Sequence, residues 1–145
     1  MAVRPTPEGY HSVTPYLTVR GAGDLLDYIK QAFGAEETVR MPGPDGRVMH
    51  GEARIGDSMV MMGDPGEGGE EIPAMIHLYV DDCDATYRRA LQAGGTSVRE
   101  PADQFYGDRS GGVKDRFGNT WWIATHVEDV SPEEMSKRMA AAAQA

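Results

Sequence analysis

Two stretches of the chain repeat one pattern of apolar and polar positions. The apolar run PYLTV at 15–19 precedes a helical stretch, and the run IHLYV at 76–80, 61 residues later, precedes another. One face of the first helical stretch carries apolar side chains at helical spacing, namely Leu25, Leu26, Ile29, Ala32 and Phe33. Asp24 supplies its acidic start and Gly34 its stop. The pattern therefore predicts two strand–helix units.

Three further strand-like runs follow each helical stretch, and the last of them is repeated as well. RIGDSMVMM at 54–62 parallels RFGNTWWIA at 116–124 in the same order and at nearly the same offset. Two such repeats indicate duplicated modules, which we predict as βαβββ units at 12–64 and 73–126. Residues 63–73, rich in glycine and acidic side chains, form the predicted linker. The predicted fold class is α+β.

A helical tail is predicted after the second module, over residues 131–145. Ser131 can cap the helix, Pro132 suits its first position, and Glu134 completes a capping box. We expect this tail to pack over a sheet edge or a partner subunit rather than to take part in chemistry.

Charge and cysteine content narrow the classes of partner. With 14 basic and 23 acidic residues the formal net charge is −9, which argues against nucleic acid and anionic membranes as partners. An acidic surface is compatible with a cationic small molecule. Cys83 is the only cysteine, so no internal disulfide forms and a cytoplasmic location is expected. No apolar run approaches the length of a membrane helix, and the first residues do not have the pattern of a signal peptide.

Four segments carry a resemblance to a known family: VTPYLTV, HGEARIGDSMVMM, LYVDDCDA and YGDRSGGVKDRFGNTWWIATH. They resemble the vicinal oxygen chelate superfamily of glyoxalases, bleomycin-resistance proteins and dioxygenases, and most of all its PhnB-like subgroup. The resemblance covers residues 12–126 and implies one domain with the glyoxalase/bleomycin-resistance fold. In that fold two βαβββ modules form curved mixed sheets around a cavity, and chains commonly pair as homodimers.

The resemblance also implies where a metal would be bound. The family's enzymes hold a divalent ion that polarises vicinal oxygens of the substrate. The ligand positions fall near Thr14, Val60, Met75 and Trp122, or, with a slip of one residue, near Pro15, Met61, Ile76 and Trp121. These side chains are not strong ligands of a hard divalent ion, so no cofactor is expected.

Two alternatives remain open for chemistry. A divalent metal could be bound by a displaced set of ligands, namely His50, Glu52, His77 and His126. A metal-free enzyme could instead use His50 with Glu52 as a catalytic base dyad, for example in epimerisation.

Aromatic, methionine and charged side chains predict a pocket for a small molecule. Because strand side chains alternate, only one of Trp121 and Trp122 can line the cavity, and the other packs under a helix or at a subunit contact. Arg109 is predicted to clamp a carboxylate or phosphate, although Asp108 and Arg109 could instead pair with each other. The predicted ligand-binding residues are Tyr16, Met62, Met75, His77, Tyr79, Tyr106, Arg109 and Trp122.

The preferred interpretation is a metal-free homodimer that binds a small aromatic or cationic molecule, in the manner of a drug-sequestering protein. The alternative is a metal-dependent lyase or isomerase of the glyoxalase type, with the displaced ligand set.

Overall fold

The chain folds into two four-stranded sheets and three helices. The computed structural model describes residues 2–144, so Met1 and Ala145, the ends of the first segment and of the predicted tail, lie outside it. The strands of the first sheet are β1 (Tyr16–Thr18), β2 (Glu36–Pro42), β3 (Val48–Ile55) and β4 (Ser58–Gly63). Those of the second are β5 (Met75–Tyr79), β6 (Thr96–Asp103), β7 (Asp108–Lys114) and β8 (Thr120–His126). The helices are α1 (Ala22–Phe33), α2 (Cys83–Gln92) and α3 (Pro132–Ala143).

Both sheets have the same topology, as the sequence repeat predicts. The strand order is β1-β4-β3-β2 in the first sheet and β5-β8-β7-β6 in the second. The first strand of each unit pairs in parallel with the last, and the other pairs are antiparallel. The predicted α+β class is therefore confirmed, and both mixed sheets are open rather than closed into a barrel.

Helix α1 ends at the predicted stop but begins at Ala22, two residues before the predicted acidic start at Asp24. Its last turn is closed by Gly34, whose left-handed backbone (φ 66°) lets its N–H reach the carbonyl oxygen of Lys30 at 3.1 Å. The predicted apolar face is buried in full. The side chain of Asp82 caps α2 by accepting a hydrogen bond from the N–H of Ala85 at 3.1 Å. Within residues 2–144, no helix has the length and apolar character needed to cross a bilayer.

The helices α1 and α2 pack against each other and against one side of the sheets. Tyr28 of α1 donates a hydrogen bond to the carbonyl oxygen of Ala90 in α2 at 3.1 Å. The ring of Phe33 contacts that of Trp121 with 4.7 Å between centroids, so α1 also packs against the second sheet. Cys83 lies in this core, where burial raises the pKa of its thiol and keeps it protonated. The buried side chains of both units thus form one core.

A buried carboxylate organises the turn between β7 and β8. Asp115 accepts hydrogen bonds from the backbone N–H groups of Phe117 and Asn119 at 2.9 Å each. It also accepts from the Asn119 side chain at 3.0 Å and from the Trp121 indole at 2.9 Å. Because these bonds fix where β8 starts, they set which of its side chains face the helices.

The tail helix α3 follows the predicted cap but has no buried residue. The N–H of Glu134 donates to the Ser131 hydroxyl oxygen at 3.2 Å, while the Glu134 carboxylate accepts from Arg138 at 3.1 Å. Arg138 also binds the carboxylate of Glu128 and the carbonyl oxygen of Phe105. The helix is therefore held beside the β6–β7 turn by polar contacts.

Candidate functional site

The side of the two sheets opposite α1 and α2, here named the open face, carries most of the polar and aromatic candidates. Paired residues of neighbouring strands share a face. Tyr16, Met61 and Glu52 are aligned across the first sheet, and His77 and Trp122 across the second. Trp121 points the opposite way, under α1, and is 1% exposed. The two adjacent tryptophans are thus divided between the core and the open face.

On the first sheet the open face holds a short hydrogen-bonded chain of three side chains. His50 Nε2 lies 2.7 Å from a carboxylate oxygen of Glu52. His50 Nδ1 lies 3.2 Å from the hydroxyl of Tyr16. In the tautomer whose Nε2–H donates a hydrogen bond to Glu52, Nδ1 accepts a hydrogen bond from the Tyr16 hydroxyl. The structure thus brings the two predicted catalytic residues together and adds Tyr16.

On the second sheet Trp122 lies flat over the backbone of Gly112. A Cβ atom at Gly112 would come within 2.6 Å of the indole ring, so the glycine makes room for this orientation. The guanidinium of Arg99 stands 4.9 Å from the centroid of the Trp122 ring. The rings of His77 and Tyr79 are also in contact, with centroids 5.0 Å apart. Together these residues form an aromatic surface with one cation.

Asp108 connects this aromatic surface, through His126, to the segment between β8 and α3. Its side chain is 5% exposed and accepts hydrogen bonds from the Tyr79 hydroxyl and from His126 Nδ1, both at 2.8 Å. Burial alone would raise the pKa of Asp108, but the bonds from His126 and Tyr79 outweigh it and the pKa is lowered. His126 Nε2 also contacts Asp129 at 2.7 Å. Asp129 and Asp108 raise the pKa of His126 above its ordinary 6.5.

We predict that Asp129→Asn lowers the pKa of His126 measured by NMR titration of the ring protons. The charged imidazolium stabilises the fold fully below pH 6.5, and this contribution is lost as pH rises through the raised pKa. The contribution of Asp108 is present above pH 3.8 and is lost as pH falls through its lowered pKa. Glu133→Gln, at an exposed acid of the tail, serves as the control. An unchanged His126 pKa in Asp129→Asn would contradict the assignment.

The donors on the open face do not fit a hard divalent ion. In the parallel pair β1–β4, Tyr16 is aligned with Met61. In the parallel pair β5–β8, His77 is aligned with Trp122. Only the histidine among them is a common ligand, and a thioether and an indole are not suitable. Val60, one of the expected ligand positions, faces the core instead. Within residues 2–144, no group of three or more His, Cys, Asp or Glu side chains is arranged to bind a metal.

Among residues 2–144, the four side chains of the displaced ligand set are not brought together as one group. His50 and Glu52 are together, but both nitrogens of His126 are occupied by Asp108 and Asp129. His77 packs against Tyr79 and joins neither group.

Two predicted pocket residues also need correction. Met62 is 0% exposed and packs beside Gly51 and Leu26 under α1, so it cannot line the open face. Met61 occupies the open-face position instead. Arg109 faces the helix side, where Asp84 binds it at 3.1 Å and Asp103 at 3.3 Å. Its guanidinium is therefore already neutralised.

The other predicted residues lie on or near the open face. Met75 and Tyr79 are exposed on β5, and Tyr106 packs edge-on against Phe105 in the β6–β7 turn. The alternative, a pair between Asp108 and Arg109, does not form, because adjacent strand residues face opposite ways. Sequence reasoning missed Arg99, Ser110 and the role of Asp108. The adjacent glycines at 111–112 could have indicated this arrangement, because residues without side chains let large side chains lie across β7.

A separate cavity of about 250 Å³ lies between the two sheets. Its walls are mostly apolar and include Ile55, Val60, Ile76, Leu78 and Trp121, with His77 at one side. His77 belongs to the open face as well, so the cavity adjoins the aromatic surface.

The paired units and the open face define a class of protein, and comparison with known proteins identifies it. The sequence model of the Glyoxalase/Bleomycin resistance protein/Dioxygenase superfamily matches residues 10–123. The chain belongs to this superfamily. Uncharacterized proteins of Mycobacterium bovis and Mycobacterium tuberculosis are 38% identical to it, over 88% of this chain and 91% and 82% of theirs.

Solved structures have the same fold at lower identity. TioX from Micromonospora sp. ML1 superposes with a TM-score of 0.70 at 23% identity, covering 81% of this chain and 99% of TioX. A superfamily member from Sphaerobacter thermophilus gives a TM-score of 0.64 at 20% identity, covering 79% of this chain and 96% of that one. At this identity the likeness establishes the fold alone.

Proposed function

We propose that the protein binds a flat aromatic small molecule on the open face of the second sheet, without a resident metal, as a sequestering protein does. The observation that carries this proposal is the placement of Trp122, spread over Gly112 beside His77 and Tyr79. We also infer that the chain falls in the PhnB-like subgroup, on the segment YGDRSGGVKDRFGNTWWIATH.

The exposure of this surface supports binding. Tyr79 is 59% and Met75 72% exposed, although both have large apolar area. Aromatic groups on one face of a sheet favour a planar ligand, because stacked and edge-on ring contacts add to the burial of area. A contiguous apolar surface of this kind is typical of an interaction site.

Binding of 2-naphthol, a neutral planar probe, tests the proposal by calorimetry on protein treated with chelator. We expect binding by the native protein, retention in Trp122→Phe, and at least a tenfold loss in Trp122→Ala, since ring contact is worth about 1 kcal/mol beyond area burial. Circular dichroism checks that each variant is folded. Unchanged affinity in Trp122→Ala, or binding that requires added metal, would overturn the proposal.

We propose that a second copy of the chain pairs with this one through exposed apolar side chains and the tail. The open face leaves Tyr16, Met41, Met75 and Tyr79 exposed, and α3 exposes Met139. Truncation after Val130 is expected to weaken dimerisation in sedimentation velocity more than it changes affinity for 2-naphthol. A monomeric full-length chain at tens of micromolar would contradict this part of the proposal.

A second candidate function is metal-independent proton transfer by Tyr16, His50 and Glu52. The specific observation is the chain of contacts at 3.2 and 2.7 Å, which orients His50 between a phenol and a carboxylate. We expect the protein to speed solvent deuterium exchange into the methyl group of 2-acetonaphthone, followed by NMR. His50→Gln should reduce that rate about a hundredfold. Exchange no faster than in buffer would reject this candidate.

A further inference from the structure

We propose that Arg99 is a carboxylate-binding residue of the open face, and that the natural ligand is therefore an aromatic carboxylate. This inference rests on the proposed aromatic binding at Trp122 and adds the charge of the ligand. It replaces the cationic ligand that the net charge alone suggests.

The guanidinium of Arg99 is fixed on two sides. Its carbon stands 4.9 Å from the centroid of the Trp122 ring. Its Nη2 donates to the hydroxyl oxygen of Ser110 at 2.6 Å and to the Ser110 carbonyl oxygen at 3.3 Å. Ser110 is 2% exposed, so this anchor lies in the floor of the sheet. A guanidinium held in one plane loses less freedom when it binds a planar carboxylate.

Two nitrogens of the Arg99 guanidinium are available to donate hydrogen bonds to a ligand. Among residues 2–144, its Nε and Nη1 have no acceptor and no carboxylate lies within 4.0 Å of it. By contrast, Arg40, Arg109 and Arg138 each bind two carboxylates. Four other arginines among residues 2–144 also have no carboxylate within 4.0 Å, but Arg99 is the one held over a ring of the open face and anchored by Ser110. A ligand carboxylate would supply the missing charge through paired N–H···O bonds.

The same geometry disfavours a cationic ligand at this ring. The π face of a tryptophan attracts a cation, but here Arg99 already occupies that position. A second cation would have to displace Arg99 from both Trp122 and Ser110, or stand beside it with like charge. An aromatic carboxylate meets neither cost, since its anion pairs with the free edge of Arg99 while its ring contacts the edge of Trp122 and the exposed rings of His77 and Tyr79.

Arg116 provides a matched control within the chain. Its guanidinium also stands over an aromatic ring, 5.1 Å from the centroid of Phe117. It belongs to the β7–β8 turn rather than to the open face, and no hydroxyl anchors it among residues 2–144. Removal of Arg116 thus changes net charge and one cation–ring contact without changing the proposed site.

The experiment compares three naphthalene probes that differ in charge, titrated by calorimetry at low salt: 1-naphthoate, 2-naphthol and 1-naphthylmethylammonium. We expect the native protein to bind 1-naphthoate at least tenfold more tightly than the other two. Arg99→Met should abolish that preference while retaining affinity for 2-naphthol, and Arg99→Lys should restore part of it. Arg116→Met should keep the full preference.

Four results would overturn the inference, and they separate it from the proposed function. Equal affinity for 1-naphthoate and 2-naphthol, or a preference that survives in Arg99→Met, would remove the role of Arg99 and leave aromatic binding intact. A preference for the ammonium probe would restore the cationic ligand. No binding of any of the three naphthalenes would overturn both the inference and the proposed function.

Discussion

Trp121→Ala is expected to lower the free energy of unfolding by about 3–5 kcal/mol, the usual cost of emptying a buried tryptophan site. Trp121 is 1% exposed and packs against Phe33, which joins the second sheet to α1. Its indole also donates to Asp115 at 2.9 Å, so the substitution removes a buried hydrogen bond as well as ring volume. Urea denaturation followed by circular dichroism measures the change.

Trp122→Ala is the matched control for this prediction. The neighbouring side chain lies on the open face, so its loss is expected to cost about 1 kcal/mol, near the centre of the usual range for substitutions. Equal losses of stability in the two variants would contradict the division of the tryptophans between core and open face.

Asp115→Ala is expected to destabilise the fold by a comparable amount, about 3–5 kcal/mol, because four buried hydrogen bonds lose their acceptor. The carboxylate is 3% exposed and accepts four hydrogen bonds, two from backbone N–H groups and two from the side chains of Asn119 and Trp121. Its removal leaves these donors without an acceptor in a buried turn, and each unmet donor carries a desolvation cost. Thermal and urea unfolding measure the loss.

Asp57→Ala, in the exposed turn between β3 and β4, is the control for Asp115→Ala. Among residues 2–144, the one side-chain hydrogen bond of Asp57 is accepted from the neighbouring Ser58 hydroxyl, at 3.1 Å. Its loss is expected to change stability by no more than about 0.5 kcal/mol. A similarly small effect of Asp115→Ala would show that the β7–β8 turn does not depend on this carboxylate.

The sequence was informative about the fold because its signals are local and occur twice. Helical spacing and Gly34 define α1, and the repeat of RIGDSMVMM and RFGNTWWIA defines the last strands of both units. Strand alternation also places His50 and Glu52 on one face and separates Trp121 from Trp122. Each of these features depends only on residues that are close in sequence.

The errors at the candidate site have physical causes. A strand reverses its faces with a slip of one residue, so Met62 was placed where Met61 lies. Arg109 was predicted to bind a ligand in the pocket, whereas β7 begins at Asp108 and turns Arg109 toward α2. The contact of Arg99 with Trp122 joins strands β6 and β8, and nothing local in the sequence indicates such a contact.

The most direct test of metal-free aromatic binding on the open face is the NMR spectrum of the indole N–H groups during titration with 1-naphthoate. The chain has two tryptophans, so two indole resonances are expected, and Trp121→Phe assigns them. In protein treated with chelator, we expect the indole resonance of Trp122 to shift as ligand is added. The resonance of Trp121, whose indole is hydrogen-bonded to Asp115, should stay fixed. A shift of Trp121 alone would place the ligand in the cavity between the sheets and contradict binding on the open face. Ligand binding that depends on added metal would contradict a metal-free site.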